Sequence, residues 1–166
     1  MSINFATGSA QDFGSKIIQF QYTSYNHQGY SGTSYQNIAA VSITPRVASS
    51  KIVIWAGMPV AWAAGHAGQG RFLRNGGSFE IPSDGSREPG HGGTEGVQSD
   101  GGGYFSMMVV DSPNTTSALT YTCQVAFEGG GTWRINTNQN NYGNQAQKGY
   151  PGTYRSWMYC MEVAPN

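Results

Sequence analysis

Apolar residues along this chain recur mostly at every second position. From 119 to 127, Leu119, Tyr121, Cys123, Val125 and Phe127 alternate with Thr120, Thr122, Gln124 and Ala126. A period of two is that of a β-strand with one face turned to a core. Similar runs are "KIIQFQY" (16–22), "IAAVSIT" (38–44), "GRFLRN" (70–75), "SFEI" (78–81), "YFSMMVV" (104–110), "TWRINT" (132–137) and "TYRSWMYCMEVA" (153–164). "KIVIWAGMPVAWA" (51–63) is almost wholly apolar, with a break expected near Gly57 and Pro59. Asn75, Gly76 and Gly77 between two runs predict a hairpin turn. Helical periodicity is nearly absent. Roughly eight to ten short strands with no covering helix predict an all-β chain, an antiparallel β-sandwich or jelly roll.

Runs such as "IVIWAGMPVAWA" and "SWMYCM" predict strands covered on both faces. A lone two-sheet sandwich needs few of these, and an oligomer packing one sheet against its neighbours needs more. The expectation is a homo-oligomer. Three segments rich in glycine and polar groups read as loops: 23–37, 83–103 and 138–152. Ordered loops of such length usually make contacts. The expected division is an N-terminal arm, 1–15, followed by one domain, 16–166.

Composition narrows the function. Charged residues are 11% of the 166, with nine acidic and nine basic side chains, against roughly 25% in ordinary soluble domains. The basic residues are scattered from Lys16 through Arg71, Arg74 and Arg134 to Arg155, so no nucleic-acid partner is expected. No apolar run nears the roughly 20 residues that span a bilayer. The first residues lack a basic leader and apolar segment, so synthesis in a cytoplasm without secretion is expected. Twenty-four glycines and ten tyrosines suit a surface that binds by adaptable hydrogen bonding. Cys123 and Cys160 each sit in an apolar run without a CxxC partner. They read as buried free thiols, with pairing open if their strands are neighbours.

Catalytic patterns are missing. His27, His66 and His91 lie in glycine-rich context, and no G-x-S-x-G elbow accompanies them. His91 with Glu88, Glu95 and Asp100 lacks calcium-loop spacing and reads as a solvated loop. A glycosidase would need paired carboxylates; the strand acids are Glu80, Asp111, Glu128 and Glu162. Asp111 reads as a turn residue ahead of Ser112 and Pro113, and Glu128 and Glu162 as solvent-facing strand ends. No GxxxxGK or dinucleotide fingerprint is present. Neither enzyme activity, cofactor nor metal is expected. The remaining chemistry is aromatic and amide: Tyr22, Tyr25, Tyr30, Tyr35, Tyr142 and Tyr150 accompany His27, Asn26, Gln28, Gln36, Asn141 and Asn144. Flat rings with hydroxyls, beside amides, suit glycan or protein contact.

"SITPRVASSKIVI" (42–54), "MMVVDSPNTTSALTYTCQV" (107–125), "WRIN" (133–136) and "SWMYCMEVAPN" (156–166) resemble the globular C-terminal domains of tail-fibre and virion-surface proteins of tailed bacteriophages. The shared pattern is an I-T-P turn, S-S-K before an aliphatic strand, D-S-P before a Thr-rich strand, and a last strand ending hydrophobic–Glu, here Met161–Glu162–Val163. The resemblance implies a jelly roll of tumour-necrosis-factor-like shape, assembled as a homotrimer, structural or adhesive and without catalytic residues. Such domains usually follow a long shaft. Here only about fifteen residues precede the first strand, with Phe5 and Phe13 placed to lay an arm on another virion protein. The expectation is a non-enzymatic virion structural protein, a capsid decoration (cement) protein on the virion surface, partnered by itself and by the major capsid protein or another virion protein. The alternative is a tail-fibre or tail-tip receptor-binding knob gripping host surface glycan. In both cases Phe5, Phe13, Tyr25, His27, Tyr30, Tyr35, Tyr142 and Tyr150 are the candidate contact residues.

Overall fold

The structure is a computed structural model that describes residues 17–25, 28–61, 67–79, 90–94, 102–127, 132–135 and 156–165. Among these it is all strand and connection. In chain order the strands are β1 (Ile17–Tyr25), β2 (Gln28–Ser31), β3 (Gln36–Ile43), β4 (Lys51–Ala61), β5 (Gly68–Arg74) and β6 (Gly77–Ser78). They continue with β7 (Gly92–Thr94), β8 (Gly102–Asp111), β9 (Leu119–Phe127), β10 (Thr132–Ile135) and β11 (Ser156–Val163).

Two antiparallel sheets pack as a sandwich. The first has the order β1-β11-β4-β8, with β10 and β2 continuing beyond the start of β11 on the same flank of β4. The second has the order β3-β9-β5, with β6 and β7 both on the far flank of β5. The steps β3 to β4, β4 to β5, β7 to β8 and β8 to β9 each cross between sheets. Setting β1-β11-β4-β8 against β3-β9-β5-β7 gives the strand order of a jelly roll, as the alternation predicts.

The core follows from the period of two. On β9, Leu119, Tyr121, Cys123, Val125 and Phe127 are buried, while Thr120, Thr122 and Gln124 face out between them. They meet Ile52, Ile54, Ala56, Met58 and Val60 of β4, Phe105 and Met107 of β8, and Met158 and Cys160 of β11. Each Val, Leu, Ile, Phe and Met among them contributes roughly 1.5–3 kcal/mol by leaving water. Both thiols are buried and free.

Four expectations change. β4 runs unbroken through Gly57 and Pro59. Pro59 lies within the run, paired with Tyr104 of β8. Segment 23–37 is largely strand, because β1 continues to Tyr25 and β10 recruits the polar β2. Segment 83–103 includes the short edge strand β7 and the start of β8. Finally, "SFEI" contributes only Ser78 to a strand among the described residues, as the end of the β5–β6 hairpin. That hairpin turns at Asn75 and Gly76, with φ of 49° and 82°, the positive pair that a type I′ turn requires.

Candidate functional site

Residues paired across antiparallel strands share a face, so the registers of the first sheet define its outer surface. One row across four strands is Tyr22, Tyr159, Trp55 and Met108. The row beside it is Phe20, Met161, Val53 and Val110. On the other flank come Ser24, Trp157, Gly57 and Ser106, and then Pro59 with Tyr104. Tyr22 is 63% exposed, Tyr104 58%, Met108 57% and Phe20 54%, which for large apolar side chains on one surface is unusual.

The rings form a connected platform. Trp157 stacks on Tyr159 at 5.3 Å between centroids and 15° between planes. Trp55 meets Trp157 edge-on at 5.4 Å and Tyr159 at 5.7 Å, and Phe20 lies 5.3 Å from Tyr159. Trp55 is held across the β4–β8 ladder by its Nε1–H, which donates to Ser106 Oγ at 2.8 Å. Gly57 makes room for the platform: a Cβ there would lie 2.5 Å from Trp157 Cζ2 and would also meet the Tyr104 hydroxyl.

The outer face of the second sheet is built differently. Ser42 and Thr120 hydroxyls are 2.9 Å apart, Gln124 Nε2 donates to Asn37 Oδ1 at 2.7 Å, and Arg71 Nε donates to Gln124 Oε1 at 2.8 Å. The Arg71 guanidinium lies 3.8 Å over the Tyr35 ring. These groups satisfy one another and water, as on an ordinary solvated sheet.

Two acids expected at the surface are inside. Asp111 is not a turn residue: it ends β8 and is buried, with Arg74 NH1 donating to Oδ1 at 2.9 Å and to Oδ2 at 3.0 Å. The Tyr121 hydroxyl donates to the same Oδ2 at 2.6 Å. Burial, that hydrogen bond and the adjacent carboxylate together push the Tyr121 phenol well above its usual range. Glu162 does not face solvent either. It is fully buried, and its Oε1 accepts the Arg46 N–H at 2.8 Å and the Val47 N–H at 3.1 Å. Gln19 ties the same corner together, donating to Thr44 O at 3.0 Å and to Glu162 Oε2 at 3.5 Å. Both acids are pinned by residues distant in sequence, and strand ends show no such partners in the sequence.

Both acids also flank Ile52 across the first sheet, yet each is saturated by its own donors and closed to a substrate. Glu80 and Glu128 lie outside the described residues. His91 is not a freely solvated ligand: its Nδ1 accepts the Phe72 N–H at 2.9 Å, and Nε2 stands 3.2 Å from Phe79 O. Glu88, Glu95 and Asp100 lie outside the described residues, among which no group of three or more acids, cysteines or histidines is placed to hold a metal.

Of the candidate contact residues, Tyr25 ends β1 opposite Ser156 and packs against the core. Tyr30 is on β2 opposite Trp133. Tyr35 is half-buried beneath Arg71 on the other sheet. Phe5, Phe13, His27, Tyr142 and Tyr150 lie outside the described residues. The sequence does not show the platform as a unit, because its members come from four strands. Its signal was present in the doubly apolar runs of β4 and β11.

No protein-family model matches the chain, and no curated protein sequence matches it. Structures of a virus and of its subviral particle, and a carbohydrate-binding module, are among its structural neighbours. The VP2 subviral particle of infectious bursal disease virus is 12% identical at a TM-score of 0.44, covering 89% of this chain and 38% of that one. The Gt strain of the same virus is 9% identical at 0.44, covering 90% and 42%. The module from Cellvibrio mixtus lichenase 5A, in complex with cellotriose, is 12% identical at 0.32, covering 87% and 97%. The chain thus spans about two-fifths of the viral chains it matches. These likenesses extend to the arrangement of strands alone.

Proposed function

We propose that the protein is a non-enzymatic structural protein of a bacteriophage virion, a decoration protein bound at the capsid surface and holding neighbouring subunits. The observation that carries this reading is the aromatic platform on β1-β11-β4-β8. It is a large exposed apolar surface carrying no acid–base pair, and such surfaces mark binding to other macromolecules. The phage-type motifs support it by what they do in this fold. The I-T-P-R-V turn and the terminal M-E-V meet through Glu162, and D-S-P meets the Thr-rich strand through Asp111 and Tyr121. They are devices that fix a jelly roll, and none is a catalytic element. The major capsid protein is the proposed partner, with residues 1–15 as the arm that reaches it.

Counting copies in purified particles tests the proposal. Hundreds per particle are expected, and a chain absent from particles refutes the reading. A handful per particle would move it to the alternative, the tail-fibre or tail-tip knob. Deleting residues 1–15 is expected to abolish incorporation, and unchanged incorporation would remove the arm from the account.

A further inference from the structure

The two outer faces belong to one chain in one solvent, yet only one is dressed for water. The second sheet presents hydroxyls, amides and Arg71 in a mutual hydrogen-bond network. The first presents Phe20, Tyr22, Trp55, Tyr104, Met108 and Val110, all exposed. At roughly 200 Å² for each large side chain and about half exposure, these six with Ile17 offer on the order of 700 Å². That is above the largest patch of an ordinary monomer and about the 800 Å² each partner brings to a standard interface.

The margins of this face agree. β1 pairs only with β11 and β8 only with β4, so both are edge strands among the described residues. Soluble proteins guard exposed edges with charge or proline. β1, IIQFQYTSY, has neither, and the outward positions of β8 are Tyr104, Ser106, Met108 and Val110. An unguarded apolar edge beside an apolar face is an aggregation hazard unless something always covers it.

We infer that the outer face of β1-β11-β4-β8 is covered by a second copy of this chain. The outward rows carry no acidic group, and Lys51 at their end is bonded to Ser112. Two such faces therefore meet without like charges opposed. A glycan would need convergent hydrogen-bonding groups. Here Trp55 Nε1–H is spent on Ser106 Oγ, the rows contain no Asn, Gln, Asp or Arg, and their polar groups are single hydroxyls of Ser24, Ser106, Tyr22, Tyr104 and Tyr159 spread over four strands. Another copy is present in matching amount wherever the chain is made, and it supplies the same flat apolar surface for an isologous contact. This goes beyond the structural reading above: it makes the platform the seam between copies and leaves residues 1–15 to reach the capsid, and it fails separately, since a monomeric knob could still decorate a particle in hundreds of copies.

The test is sedimentation of the purified full chain at low micromolar concentration, beside M108K, Y22K and T122K. Met108 and Tyr22 stand on opposite edges of the platform, and Thr122 is on the polar sheet. The wild type is expected at an even multiple of 17.8 kDa, because a face-to-face contact of identical surfaces joins copies in pairs. M108K and Y22K are each expected to weaken association at least about tenfold while keeping strand circular dichroism and cooperative melting, and T122K is expected to change neither. Should M108K fail to fold, Y22K carries the same test. A monomeric or trimeric wild type overturns the inference, and so does an oligomer that M108K and Y22K leave intact.

Discussion

The Tyr121 hydroxyl donates to Asp111 Oδ2 at 2.6 Å in the buried space between the two sheets. Arg74 grips the same carboxylate from β5, so one side chain of the first sheet is held by two of the second. Sandwich layers otherwise cohere through apolar packing, which has no preferred direction. This triad fixes their relative register. Tyr121→Phe, keeping the ring but deleting the donor, is expected to cost about 1–3 kcal/mol. Asp111→Ala, which also strands the guanidinium, is expected to cost more. Urea unfolding checks both, and an unchanged midpoint for Tyr121→Phe would mean that the hydrogen bond contributes nothing net.

Glu162 performs a similar task at the other end of Ile52, tying the last strand to the 44–47 turn. Glu162→Ala leaves two backbone N–H groups without their acceptor and is expected to cost about 1.5–3 kcal/mol. Glu162→Gln keeps an acceptor oxygen and should fall well short of that. Equal losses in denaturant unfolding would show that the charge, not the hydrogen bonds, is what the turn requires.

The buried thiols make stability fall in alkali. Burial pushes the Cys160 thiol up to about 12 and raises that of Cys123 as well. The unfolded chain releases both protons near 8.5, whereas the folded chain keeps them. Stability from these groups is therefore complete below about pH 8 and declines as pH rises toward the folded value. Native protein at neutral pH is expected to react with a thiol reagent only at the unfolding rate. A fast phase of one thiol per chain would contradict this burial.

Gly57 leaves the space that the platform rings occupy. In Gly57→Val the new side chain collides with Trp157 and the Tyr104 hydroxyl, costing about 1–3 kcal/mol by overpacking. Near-ultraviolet circular dichroism should change because Trp157, Tyr159 and Trp55 are in contact, and association should weaken with it. An unaltered aromatic spectrum would mean that the rings adapt without moving apart.

Val125 lies fully buried on the inward row of β9. Val125→Asp places an unpaired carboxylate in the sandwich, and a loss of more than about 3 kcal/mol is expected. Soluble protein with wild-type melting would refute this row of the core.

Sequence periodicity reads β9 correctly because its inward and outward residues differ in chemistry at every step. It also finds β3, β4, β8 and β11, whose apolar content matches their burial. It misjudges Asp111 and Glu162 because polar residues at strand ends look alike whether they meet water or a partner many residues away. β2 is invisible because Gln28, Gly29, Tyr30 and Ser31 carry no alternation, and only β10 makes them a strand. The doubly apolar character of β4 and β11 shows in the sequence that their outer faces are apolar too. Which rings lie together depends on register, and register across four strands is a property of the fold.

Hydroxyl-radical footprinting of the chain in its native assembly bears most directly on the claim that this sheet face is there to be covered. Met108, Trp55 and Tyr22 are expected to be protected in the assembly and to oxidise as free side chains once Y22K or M108K has dissociated it, each residue being read in the variant that retains it. Oxidation at the same rates in both forms would show a face that stays open to water, and would contradict the account.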